Sequence, residues 1–93
     1  MHLNTKYMEI SVELTLMPLQ DDYREHIVNF IKRLRNSKFH IKENSLSTQV
    51  FGEYDAVMLF LKNELKYSFE ETQAIIANMK IVKTDRSSYE PSF

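Results

Sequence analysis

Asn44-Ser45-Leu46-Ser47-Thr48-Gln49-Val50-Phe51-Gly52-Glu53-Tyr54-Asp55-Ala56-Val57-Met58 is the stretch on which the fold turns. Ser45–Ser47 reads as a tight turn that ends one extended segment and begins another, since serine beside asparagine bonds local backbone readily. Thr48–Phe51 is short and rich in strand formers. Gly52, the only glycine in the chain, breaks that strand and acts as a hinge into a helix with Asp55 near its first turn. A strand that enters a helix this way leaves polar groups at its end, which serve either as a small-molecule site or as a plain connection.

Upstream, Ile10–Met17 alternates cleanly, with Ile10, Val12, Leu14 and Leu16 on one face and Ser11, Glu13, Thr15 and Met17 on the other. Period two is the signature of a strand with one buried face, and Pro18, with no N–H for a ladder, stops it. Asp21-Asp22 then opens a helix with carboxylates placed well for its dipole. Tyr23, Ile27, Phe30, Ile31 and Leu34 form an apolar stripe at helical spacing. Arg24, Glu25, Lys32, Arg33 and Arg35 take the wet side. Phe39–Asn44 is a weakly alternating, polar strand suited to a sheet edge.

Downstream, Tyr54–Tyr67 carries Val57, Met58, Leu61 and Leu65 on an inner helical stripe, and Phe69–Thr72 reads as a polar connection. Ala74–Val82 is the last strand, with Ala77, Met79 and Ile81 on one face and Ile76, Asn78 and Lys80 on the other. The order strand, helix, strand, strand, helix, strand makes both helices crossover connections over one sheet face. The expectation is an α+β, ferredoxin-like βαββαβ domain: a four-stranded antiparallel sheet with two helices on one face. Residues 1–9 read as a flexible leader, 10–84 as the single domain, and 85–93 as a frayed polar tail. Met8 stands as a second candidate start.

Composition narrows the function. At 93 residues the chain holds one core. Twelve basic against thirteen acidic side chains, a net charge of −1, lack the clustered excess of Lys and Arg that nucleic acid demands. No cysteine means no disulfide, thiolate metal site or thiol nucleophile, and suits a cytoplasmic protein. No run reaches the roughly 18 apolar residues of a membrane span. A single glycine rules out GxGxxG and P-loop cradles. His2, His26 and His40 lack metal-ligand spacing, the serines lack a glycine elbow, and Glu13 and Thr15 stand where an RNA-binding sheet would carry stacking aromatics. Neither a catalytic group nor a metal or cofactor site is expected, so the protein reads as no enzyme.

Glu13 is the most telling polar residue, mid-strand on the face away from the helices. If another sheet or subunit covers that face, the carboxylate needs a cation or several donors. The plainer reading is an exposed glutamate, or one paired with Lys80. Asn44 and Thr48 offer an amide and a hydroxyl to a ligand, or else simply stabilise the turn. Asn78 is a further ligand candidate, or a polar residue on an uncovered face.

Three segments together are similar to a known family: Glu13-Leu14-Thr15-Leu16-Met17-Pro18-Leu19, then Leu46–Met58, then Ala77-Asn78-Met79-Lys80-Ile81. They resemble the thiamine-binding (YkoF-like) proteins, over residues 10–84. The resemblance implies a small cytoplasmic, non-catalytic protein that forms a homodimer or homotetramer, and the sheet face left uncovered by the helices is where a second subunit is expected. It implies a ligand, thiamine or its hydroxymethylpyrimidine moiety, bound by Glu13, Thr15, Asn44, Ser47, Thr48, Phe51 and Asn78. Glu13 would answer the thiazolium charge or the amino group, and Thr48, Asn44 and Asn78 the pyrimidine. Phe51, with Met17 or Tyr54, would supply apolar contact. Ser47 and Phe51 depart from the family's glycine before the threonine and acidic residue before Gly52, and Asn44 from its threonine. The alternatives are an ACT-like regulatory domain holding another small metabolite between subunits, and an enzyme subunit whose chemistry lies on a partner.

Overall fold

The alternating first segment becomes strand β1, Glu9–Pro18, the longest strand and the one that carries the sheet. A computed structural model describes residues 7–93. Most of the expected leader, residues 1–6, lies outside the described residues, as does His2. Helix α1 spans Tyr23–Arg35, β2 His40–Glu43, β3 Thr48–Glu53, α2 Tyr54–Glu70 and β4 Ile75–Lys83. The sheet order is β2-β3-β1-β4, all antiparallel. This is the ferredoxin-like α+β arrangement, with both helices on one face.

Ile10, Val12 and Leu14 of β1 meet Val50 of β3 and Val57, Leu61, Phe30 and Leu34 of the helices in one buried core. Burying each such side chain is worth about 1.5–3 kcal/mol, and these residues are the apolar stripes of the sequence. Helix α1 rests mainly on β1 and α2 on β3. The helix-side residues of β4 are therefore left open.

Four local readings change. Pro18 is the buried last residue of β1, paired with Ile75. Strand β3 stops pairing at Leu14, so the missing proline N–H has no ladder partner to lose. Gly52 lies inside β3, opposite Ile10, with no positive φ; it is a point of close packing and not a hinge. Helix α2 continues past Tyr67 to Glu70. The extra turn puts buried Ser68 within reach of Arg33, whose Nη2 donates to its Oγ at 2.9 Å while Nε donates to Glu64 at 2.5 Å. Arg33 also lies 4.4 Å over the Tyr67 ring, so it clasps the two helices instead of facing water.

The tail differs most. Thr84 takes a φ of 99°, costly for a β-branched residue, and turns the chain back over the sheet. Its N–H donates to the Glu9 carbonyl. The Ser11 hydroxyl donates to the Thr84 carbonyl and accepts from the Arg86 N–H, at 2.9 and 2.8 Å. Lys42 of β2, on the far side of the sheet, donates to the Ser87 carbonyl. The first residues after β4 therefore cross the helix-free face as a strap held at both sides, where the sequence suggests fraying.

Candidate functional site

The sheet register sorts the polar residues by face. Glu13 stands opposite Gln49 and Lys80, and Thr15 opposite Asn78, all on the face without helices. Ser47 at the end of the turn lies on the same side, and its Oγ donates to Glu13 Oε2 at 2.9 Å. Lys80 Nζ is 3.7 Å from Glu13 Oε1. At that length, with the lysine 73% exposed, the pair is a loose one. The carboxylate is thus held in place by a buried hydroxyl and balanced by a cation that is free to leave.

Glu13, Thr15, Asn78, Met79 and Lys80 line a recess of about 200 Å³. Glu13 and Lys80 also border a wider one of about 570 Å³, closed at its far end by Ser11, Val82, Arg86 and Tyr89. The strap builds that far wall, with Arg86 resting 5.3 Å over the Tyr89 ring. Arg86 and Tyr89 were not legible as site residues, because only the backbone turn at Thr84 brings them over the sheet.

The other expected contacts do not join this cluster. Asn44 Oδ1 accepts from the N–H groups of Leu46 and Ser47 at 2.7 and 3.0 Å, which is local turn chemistry. Thr48 is buried and pairs with Leu14 and Glu43 on the helix side. It borders a second cavity of about 230 Å³ with Thr15, Asn44, Ser47, Phe30 and Ile27. Phe51 is buried on the helix-free face but sits opposite Ser11, at the strap end, its ring tilted against that of His40 with centroids 5.4 Å apart. Of the expected residues, Glu13, Thr15, Ser47 and Asn78 gather on the helix-free face, Asn44 and Thr48 meet Thr15 and Ser47 at the second cavity, and Phe51 stands apart.

Among the described residues no three His, Cys, Asp or Glu side chains gather to hold a metal. His26 lies 3.1 Å from Asp22 on the flank of α1. No helix among the described residues is long and apolar enough to cross a membrane.

No protein-family model matches the chain, nor does any curated protein. Solved structures do resemble it. Protein SP2199 from Streptococcus pneumoniae superposes with a TM-score of 0.78 at 26% identity, over 87% of this chain and 92% of that one. A Thermotoga maritima protein whose name assigns it provisionally to thiamine biosynthesis or salvage gives 0.73 at 17% identity, over 88% and 89%. A Bacillus cereus domain of unknown function, DUF77, gives 0.70 at 17% identity, over 97% and 84%. These likenesses establish the fold.

Proposed function

We propose that this chain is a non-catalytic, cytoplasmic, homo-oligomeric binder of thiamine or its hydroxymethylpyrimidine moiety, a member of the YkoF-like group. The observation that carries the reading is Glu13: a carboxylate in mid-sheet, oriented by the Ser47 hydroxyl and balanced by the loosely held Lys80. Thiamine pairs a cationic thiazolium with an aminopyrimidine that both donates and accepts hydrogen bonds. The thiazolium takes the place of the Lys80 ammonium, and Thr15 and Asn78 answer the pyrimidine from the adjoining recess. The provisional assignment of the Thermotoga protein to thiamine biosynthesis or salvage agrees with this ligand class.

A second reading, an ACT-like domain holding another small metabolite at a subunit interface, draws on the wider recess. There Arg86 and Lys80 suit an anion. Calorimetric titration separates the two: heat with thiamine or hydroxymethylpyrimidine supports the first reading, and heat with small carboxylates alone supports the second.

A further inference from the structure

The polar groups of the helix-free face lie in a row along β1. Thr15 pairs with Asn78 at one end, Glu13 with Lys80 in the middle, and Ser11 stands at the other end. Residues two apart on a strand share a face and stand about 6.7 Å apart, so the row is a linear set of stations. Glu13 and Lys80 border both the recess that holds Thr15 and Asn78 and the wider one that holds Ser11, Arg86 and Tyr89. The two recesses therefore meet at the carboxylate.

Arg86 is fixed at the far station by its surroundings. The strained backbone at Thr84, with its φ of 99°, carries it there. Its N–H donates to the Ser11 hydroxyl at 2.8 Å, and its carbonyl accepts from the Tyr89 N–H at 3.2 Å. Its guanidinium rests over the Tyr89 ring. Yet among the described residues no carboxylate forms an ion pair with it. A guanidinium stacked this way keeps its planar donors free for a bidentate acceptor, phosphate above all. The charges point the same way. A thiazolium at Glu13 releases Lys80 toward Arg86 and leaves three cations around one carboxylate. Like charges so close repel unless an anion joins them.

We propose that this face takes a phosphate monoester of the cationic heterocycle, its phosphate held between Arg86 and the Lys80 ammonium that the thiazolium displaces. The inference deepens the thiamine reading and rests on it. The order of the groups agrees. In thiamine monophosphate a methylene joins the pyrimidine to the thiazolium, and a hydroxyethyl arm on the thiazolium carries the phosphate. Along β1 the matching stations are Thr15 with Asn78, then Glu13, then Ser11 with Arg86. A monoester carries about −1.5 to −2 charge at pH 7, which outweighs the thiazolium and brings the occupied site close to neutral. Lys80 thus changes partner, from Glu13 in the free protein to the phosphate in the complex.

Calorimetric titration of the full chain with thiamine, thiamine monophosphate and inorganic phosphate tests this. Wild type should bind the monophosphate about tenfold or more tightly than thiamine, the scale of a charge-assisted contact. Arg86→Gln should bring the ratio of the two affinities close to one. Lys80→Gln should give a second, opposed signature: thiamine binds more tightly, because its competitor for Glu13 is gone, while the advantage of the monophosphate shrinks. Should Arg86→Gln disturb the fold by circular dichroism, Lys80→Gln decides. Equal affinity of wild type for thiamine and its monophosphate overturns the phosphate station and leaves the thiamine reading standing. So does a preference that survives both substitutions. Inorganic phosphate bound as tightly as the monophosphate would mean an anion site unconnected to Glu13, and overturns the inference as well. No binding of thiamine, hydroxymethylpyrimidine or the monophosphate overturns both this inference and the thiamine reading.

Discussion

A Cβ added at Gly52 would lie 2.8 Å from Phe39 Cδ1 and 2.9 Å from Val57 Cγ2. Both neighbours belong to the packed interior, and Phe39 is further held by Phe60, at a ring-centroid distance of 5.2 Å. Neither can move away without disturbing the core. Gly52→Ala should therefore destabilise the fold by about 1–3 kcal/mol, the cost of overpacking, read as a lower melting temperature with unchanged circular dichroism. A hinge role would predict a smaller effect, because φ at this position is not positive. The sequence singled out this glycine correctly but for the wrong reason. Its neighbour Phe39 comes from another strand entry, and such a contact has no local signature. Glu13 was more legible, since a carboxylate amid period-two alternation declares its face. Its Ser47 partner and its Lys80 counter-charge both follow once the register is fixed.

At the scale of elements, the apolar periodicity located every strand and helix, and the errors fall at their ends. Helix α2 runs three residues beyond Tyr67, to Glu70, because buried Ser68 meets Arg33 from α1. No local propensity announces a serine bonded by an arginine from a distant helix. Arg33 looked like one of several basic residues on a wet face, yet it joins Glu64, Ser68 and the Tyr67 ring. Arg33→Ala should cost about 1–3 kcal/mol, since it leaves a buried hydroxyl and a half-buried carboxylate without their donor. Arg33→Lys should recover only part, lacking the planar fork. Chemical denaturation of the two variants against wild type measures this. Equal stability of all three would mean that the clasp is a surface decoration. Helix α2 also begins with a cap: the Glu53 carboxylate accepts from the Asp55 and Ala56 N–H groups, each at 3.0 Å. In the sequence Glu53 stood unremarked between Gly52 and the helix it caps.

For the whole molecule, the tail is the feature that sequence could not place. Its polar composition is the composition of a frayed end, and the strap exists because Ser11 and Lys42 supply partners from opposite sides of the sheet. Three exposed carboxyls are held below their ordinary values. Asp85 is lowered chiefly by its hydrogen bond with Ser87, Glu43 chiefly by its hydrogen bond from Arg35, and Asp22 chiefly by its hydrogen bond from Gln20. A folded-state value below the unfolded one means stability that is complete above the unfolded value and lost as pH falls through the folded one. The melting temperature should stay level from neutral pH to about 5 and decline below about 4. The decline should shrink in Glu43→Gln and in high salt, because these groups are solvent-exposed. A melting temperature that rises on acidification would contradict the assignment.

The same face, with its strap, its recess and Glu13, carries the functional account, and calorimetric titration of wild type and Glu13→Gln with thiamine and hydroxymethylpyrimidine tests it most directly. Wild type should bind both. Glu13→Gln should lose about tenfold or more toward thiamine, the scale of a charge-assisted contact, and less toward the neutral pyrimidine. Equal losses for both would remove Glu13 from the thiazolium. Absence of heat and of any melting shift with either ligand in wild type would contradict the thiamine reading itself.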